Sequence, residues 1–293
     1  MEGNQIVTYD IRTLETPQEM EAVVELQRLV WPGDELEILP VHMLRAAVHN
    51  GGLVIGAYSR DRLVGFVFGF PGFETTPQGL RLIHASHLAG VHPEFRDAGL
   101  GFRLKRAQWQ LARRQGVERI TWTYDPLQSR NANLNITKLG AVCNTYIPNY
   151  YGQMGDAVNA GVPSDRFQVD WWVNSHRVRR RLGVNPPRKL DLAHYLGAGT
   201  PFVNRTSLNA AGFALPQASD APPADAPLLL LEIPADIQAI RAIDLELAIA
   251  WSQHVRDLFL DLFDQGYLVT DFVHLPGPSP RSFYVLSDGA ATL

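Results

Sequence analysis

The chain has 293 residues, 46% of them hydrophobic and 19% charged, with a formal net charge of −4. That length suits one large or two modest domains, and the composition is that of an ordinary globular protein. A slightly acidic chain carries no general basic field, so neither nucleic acid nor an anionic membrane surface is an expected partner.

The one cysteine, Cys143, excludes an intrachain disulfide, which suits a reducing cytoplasm. The opening residues Met1-Glu2-Gly3-Asn4-Gln5 show no basic n-region and no apolar h-region. No apolar run approaches the roughly 18 residues of a membrane span. A cytoplasmic enzyme is the expectation.

In chain order, Gln5 to Ile11 alternates loosely and reads as a first strand. Thr16-Pro17 opens a helix, with Thr16 as N-cap, and Trp31-Pro32-Gly33 stops it. Pro40 opens a second helix over Val41 to His49. Leu53 to Tyr58 and Leu63 to Phe70 form a hairpin, Gly72 to Gly79 a loop, and Arg81 to Val91 a fourth strand. A helix runs from Gly99 to near Gly116, followed by a strand over Ile120 to Tyr124 and a helix over Gln128 to Leu139. Ala141 to Tyr151 and Phe167 to Val173 read as further strands.

Residues 177–227 change character. His176-Arg177-Val178-Arg179-Arg180-Arg181 is a basic run, read as a solvated linker and, more distantly, as a contact for a nucleotide 3′-phosphate. Pro186-Pro187 and the Pro-, Ala- and Asp-rich stretch from Pro216 to Pro227 read as connections. Leu228 to Ile233 resumes as a strand, Ile237 to Gln265 as one helix, then Tyr267 to Val273 and Phe283 to Leu286 as strands. Strand, long helix, strand echoes the middle of the first unit and suggests a degenerate half-repeat. Its turn carries Asp236 and no paired glycines, so it offers an anion no seat. The expected organisation is a domain over 1–176, a linker over 177–227 and an α/β extension over 228–293.

The most informative stretch is Val91-His92-Pro93-Glu94-Phe95-Arg96-Asp97-Ala98-Gly99-Leu100-Gly101, between the fourth strand and the long helix. Gly99 and Gly101 admit positive φ and close approach of backbone to a ligand. The first amides of the helix lack intrahelical partners, and the helix dipole adds positive charge there. Arg96 adds a planar guanidinium. Together these form a pyrophosphate seat.

The motif Val-x-Pro-x-Phe-Arg-x-x-Gly-x-Gly, in its strand–turn–helix context, resembles the coenzyme A motif of the GNAT superfamily of acyl-CoA-dependent N-acyltransferases. The element order over roughly residues 5 to 175 resembles that family as well. The resemblance implies an α/β (α+β) fold with a central, mixed, mostly antiparallel sheet whose fourth and fifth strands splay apart. It implies acetyl-CoA or another acyl-CoA as co-substrate and no metal. The carrier would lie along Leu88, Ala89, Gly90 and Val91, with its diphosphate on Arg96, Asp97, Ala98, Gly99, Leu100 and Gly101, and with Ser129, in the place of the family's asparagine, as a further contact.

Direct transfer needs a base for the amine, donors for the oxyanion and stabilisation of the leaving thiolate. By resemblance to arylalkylamine N-acetyltransferase, His87 is the expected base, with His84 in reserve. The two are of opposite parity, so in a regular strand only one faces the cleft. A zinc site from His84, His87 and His92 is disfavoured because one strand cannot aim all three at one point. The oxyanion donor is expected to be a backbone N–H near Leu88 or Ala89.

Many family members carry Asn-x-x-Ala-x-x-x-Tyr-x-x-x-Gly on the next helix. Here Ser129, Ala132, Ile136 and Gly140 hold those places, so the usual tyrosine acid is missing. Tyr146, Tyr150 and Tyr151, expected on the following strand, are substitutes. Trp31, Asp34 and Glu35 are expected to line the acceptor pocket. The expected activity is acyl transfer to the amine of a small molecule or amino acid. A non-catalytic acyl-CoA sensor and an interaction protein are the alternatives, and a homodimer is one possible assembly.

Overall fold

The computed structural model describes residues 8–33, 35–152, 161–217 and 226–289. Its contacts divide the chain into residues 1–122 and 123–293.

The first unit opens with β1 (Asp10–Thr13) and α1 (Pro17–Val30). The strand starts later than expected, and Gln5 to Val7 lie outside the described residues. Thr16 caps α1 as its sequence implies, with Glu19 completing a capping box. Burial opposes ionisation of the Glu19 carboxyl, but the Thr16 and Glu15 amides and Arg12 hold its pKa down to about 2. A short 3₁₀ turn (Glu35–Glu37) leads to α2 (Val41–His49).

Four strands then build the sheet: β2 (Leu53–Ser59), β3 (Arg62–Thr76), β4 (Gly79–Val91) and, after α3 (Leu100–Arg114), β5 (Arg119–Tyr124), which runs across the division. β1 to β4 pair antiparallel in sequence order. The expected Gly72–Gly79 loop is instead the far end of a long β3–β4 hairpin. Its pairing continues through Phe73↔Leu82 to Thr76↔Gly79. Glu74 explains this, because its carboxylate bridges Arg81 on β4 and Arg119 on β5 and so holds the arms extended.

One face of this sheet packs Phe66 and Phe68 against Met20, Val23 and Leu26 of α1 and Leu44 of α2. The other packs Ile55, Val64 and Val67 against Leu100 and Leu104 of α3. A Cβ at Gly65 would lie 3.0 Å from Leu104 and 3.1 Å from Leu100, so glycine lets α3 approach there. β4 and β5 are parallel but pair only at His84↔Ile120 and Ala85↔Thr121. The ladder stops where β4 reaches its chemically interesting residues.

In the second unit, α4 (Ser129–Ala132) passes into a π-helical segment over Asn133–Lys138 rather than continuing as the single α-helix expected to Leu139. The Leu139 amide reaches back to the Leu134 carbonyl, and Thr137 donates to the Phe272 carbonyl at 2.8 Å. β6 (Val142–Ile147) pairs antiparallel with β7 (Arg166–Trp172). β6 ends before Pro148, so Tyr150 and Tyr151 lie in a turn and not on the expected strand. Asn149 (φ 48°) and Gly152 (φ 68°) shape that turn.

Residues read as a linker hold α5 (His176–Leu182), α6 (Leu192–Gly197) and a hairpin of β8 (Thr206–Leu208) with β9 (Ala214–Pro216). The basic run is helical and engaged: Arg177 donates to the Gly140 and Thr270 carbonyls, and Arg181 pairs with Asp271 at 2.9 Å. Part of the proline-rich connection, residues 218–225, lies outside the described residues.

The chain closes with β10 (Leu228–Ile233), α7 (Ile237–Ile243), α8 (Leu245–Asp264), β11 (Tyr267–Leu275) and β12 (Arg281–Asp288). The one expected helix is two because Asp244 ends α7 and caps α8, accepting from the Leu247 amide at 2.9 Å. β12 pairs antiparallel with both β10 and β11 and so lies between them. β4 and β5 pair directly, so the C-terminal unit does not copy that middle arrangement. β11 also meets β6 at Val269↔Cys143. Among the described residues no helix is long and apolar enough to cross a membrane.

Candidate active site

The turn expected to seat an anion lies between β4 and α3. His92 caps a 3₁₀ turn over Pro93–Phe95 and accepts from the Glu94 amide at 3.2 Å. Phe95 fixes the turn from inside, with its ring edge-on to His92 at 5.8 Å and to Tyr9 at 6.4 Å. Arg62 lies 2.6 Å from His92 Nε2 and pairs with Glu94. The chain then passes through Asp97 (φ 68°) and Gly99 (φ 72°), both left-handed, into α3. Among the described residues no side chain caps that helix, and its first bond runs from the Arg103 amide to the Gly99 carbonyl. A Cβ at Gly99 would meet none of the described residues within 4 Å, so open space faces the turn among them. Arg96 is exposed, with Nε 3.5 Å from the Val91 carbonyl, and makes no ion pair among the described residues. Asp97 and Ala98 are exposed, Gly101 is half-buried, and Leu100 anchors the helix in the core.

Beside this turn, β4 carries a bulge. Phe68 pairs with Leu88 and Gly69 with Ser86, leaving His87 as the extra residue. Bulges re-aim side chains and free backbone groups, and they recur beside active sites. This one places His87 and Leu88 on the same face. Leu88 packs on the cluster containing Phe68, and His87 sits edge-on to Phe68 at 6.1 Å and beside Phe70 at 6.0 Å. His87 is exposed, and partial burial against these rings lowers its pKa from the ordinary histidine value. Ala89 is exposed and Gly90 buried. A Cβ at Gly90 would fall 2.9 Å from Phe66 and 3.3 Å from Trp31, so glycine allows the Trp31 indole to lie against β4. Trp31 is itself edge-on to Phe66 at 6.0 Å and 41% exposed.

His84 turns the other way, as its parity implies. It is fully buried, and Gln108 lies 3.1 Å from its Nε2. Its Nδ1 has no partner among the described residues. Burial, with Lys105 adding to it, pushes its pKa down to about 4. His84 therefore lies in a different environment from His87. His84, His87 and His92 do not converge, and among the described residues no group of His, Cys, Asp or Glu side chains is arranged to hold a metal.

The remaining expected residues are placed as follows. Glu35 pairs with Arg28 at 2.9 Å in an exposed ion pair, so its carboxylate is already engaged. Asp34 lies outside the described residues. In the second unit, Ser129 is buried with Oγ 2.6 Å from Ser282 Oγ, and Ile136 is fully buried. Tyr146 donates to Asp165 at 2.8 Å. Burial, then the Asp165 charge, raises its pKa, so its proton is firmly held. Tyr150 and Tyr151 are exposed, ring to ring at 4.6 Å, with Tyr151 OH 3.1 Å from Thr123 Oγ1.

Sequence reasoning missed a buried polar cluster between α3 and β4. Lys105 donates to Ser86 Oγ at 2.8 Å and to Gln108 Oε1 at 3.3 Å, and Ser86 donates to the same oxygen at 3.0 Å. The ammonium sits 3.6 Å from the centroid of the Trp122 ring. Burial pushes its pKa down to about 7. The signal was legible in principle: Lys105 and Gln108 fall on the helix stripe otherwise made of Leu100, Leu104 and Ala112. Gly69 makes room for the cluster, since a Cβ there would lie 2.3 Å from His84 Nε2 and 2.6 Å from the Ala85 carbonyl. Gly69→Ala is expected to destabilise the fold by about 3 kcal/mol or more, because one of the two clashes is with backbone. Thermal or denaturant unfolding of the variant checks this.

A profile of the acetyltransferase (GNAT) family matches residues 20–140. No curated protein matches the chain. Among solved structures, NAA60 of Arabidopsis thaliana in complex with a bisubstrate analogue is similar at 15% identity and a TM-score of 0.46, covering 57% of this chain and 100% of that one. The ribosomal-protein-S18-alanine N-acetyltransferase of Escherichia coli is similar at 14% identity and a TM-score of 0.44, covering 62% and 100%. An acetyltransferase of the GNAT family from Streptococcus pneumoniae is similar at 15% identity and a TM-score of 0.44, covering 56% and 98%.

Proposed function

We propose, from the match of the acetyltransferase (GNAT) family profile to residues 20–140, that the chain transfers an acetyl or other short acyl group from acyl-CoA to the amine of a small molecule or amino acid. The observation that carries this reading is the uncapped N-terminus of α3 behind the left-handed Gly99, open to solvent and flanked by Arg96. Backbone amides, helix dipole and guanidinium there suit a diphosphate. β4 pairs with β3 as far as Val91 but not with β5 beyond Ala85, so the β5-facing backbone groups from Ser86 to Val91 are available to the amides of a pantetheine arm.

In the proposed reaction the amine nitrogen attacks the thioester carbonyl. A C–N bond forms, the C–S bond breaks, and the sulfur leaves as thiolate. His87, directly or through a water, takes the ammonium proton, and backbone N–H groups at the bulge serve the oxyanion. A thiol of pKa about 8.5 leaves acceptably without a dedicated acid.

One observation favours a second reading, binding without turnover. Ile136, at the place of the family's usual tyrosine, is buried and has no hydroxyl, and Tyr146 holds its proton on Asp165. Thiol release measured with acetyl-CoA, succinyl-CoA and a panel of small amines and amino acids separates the two. The proposed function expects amine-dependent release with at least one acceptor. Donor binding with no release across the panel supports the second reading.

A further inference from the structure

We propose that Lys105 is a positioning residue for acyl transfer: from the rigid helix α3 it grips Ser86 and so holds the β4 bulge at His87 and Leu88 in place relative to the Gly99 turn. This rests on the functional reading above. Ser86 is the residue immediately before the bulge, and Lys105 lies on the second turn of the helix that begins at Gly99. One side chain thus ties together the strand that carries the candidate base and the helix that presents the anion seat.

The cluster has the features of a built device rather than a packing accident. Burying an ammonium is costly unless its hydrogen bonds are satisfied, and an apolar side chain would fill the same stripe without that cost. Here the ammonium has Ser86 Oγ, Gln108 Oε1 and the Trp122 ring face as partners, and Gln108 also reaches His84. A glycine opposite the bulge, Gly69, leaves the space that His84 and Gln108 occupy. In a water-poor interior such a network has few alternative arrangements, so it fixes geometry sharply.

The test compares Lys105→Met, Ser86→Ala, Ser86→Thr and the Lys105→Met/Ser86→Ala double variant in the full chain. Lys105→Met and Ser86→Ala are each expected to lower kcat about tenfold while the acetyl-CoA Kd stays within about twofold. Ser86→Thr, which keeps the hydroxyl, is expected to restore kcat. The double variant is expected to be no worse than either single one, since both remove the same link. Hydrogen exchange at the 86–90 amides is expected to quicken in Lys105→Met while the amides of β10 stay protected. Unchanged kcat and unchanged local exchange, or losses that multiply in the double variant, overturn the proposal. If Lys105→Met does not fold, the contrast between Ser86→Ala and Ser86→Thr decides alone. If the wild-type chain binds no acetyl-CoA, the functional reading has failed, and the exchange comparison still decides whether Lys105 holds the bulge.

Discussion

Gly99→Val is expected to abolish acyl-CoA binding while leaving the chain folded. Two physical effects combine. Gly99 has φ 72°, where an ordinary side chain costs about 1–2 kcal/mol and a β-branched one more. The larger effect is on the ligand. The protein leaves the space beyond this Cα empty, so the isopropyl group would occupy the place proposed for the diphosphate. A loss of more than about 100-fold in affinity, or roughly 2.7 kcal/mol, is expected by calorimetric titration with acetyl-CoA. Gly99→Asn tolerates the left-handed backbone and separates strain from occlusion. It should keep the melting temperature near wild type and lose affinity through bulk alone. Full affinity in Gly99→Val would remove the turn from the site.

His87→Ala is expected to lower kcat by about 10²–10⁴, the usual contribution of a general base, with donor affinity nearly intact. The direction of the His87 shift adds a pH signature. Partial burial against Phe68 and Phe70 favours the neutral ring and lowers the pKa. The free base therefore persists to a pH below the ordinary histidine value of about 6.5. The wild-type kcat/KM should rise with pH to a midpoint below that value and then level, and His87→Ala should lose this limb. A variant with full turnover, or with the same acidic limb, reassigns the base.

Much of this was legible in the sequence, for physical reasons that act locally. Thr16 before Pro17, and Gly99 before Leu100, announce helix starts through capping and backbone freedom that depend on neighbouring residues alone. The turn proposed to seat the anion is legible for the same reason, since its left-handed residues and the helix start are close neighbours in sequence. The bulge was not, because alternation along β4 shows no extra residue until Phe68 and Gly69 pair across to Leu88 and Ser86. The long hairpin was hidden by Gly72, Pro77 and Gly79, which read as a loop until Glu74 finds two arginines distant in sequence. The Glu35 carboxylate looked unpaired because nothing in the spacing shows that Arg28 meets it. Tyr146 looked like a spare acid until Asp165 appeared beside it. In each case the missing term was a partner on another element, which the local pattern does not show.

The central claim is that the backbone at the start of α3 holds the diphosphate of an acyl carrier. Titrating the ¹⁵N-labelled full chain with coenzyme A and following backbone amide shifts tests it most directly. The account predicts saturable shifts concentrated at the amides of Gly99 to Phe102 and at Leu88 to Val91, lost in Gly99→Val. Saturable binding that leaves those amides unmoved, or no binding at millimolar coenzyme A, would contradict it.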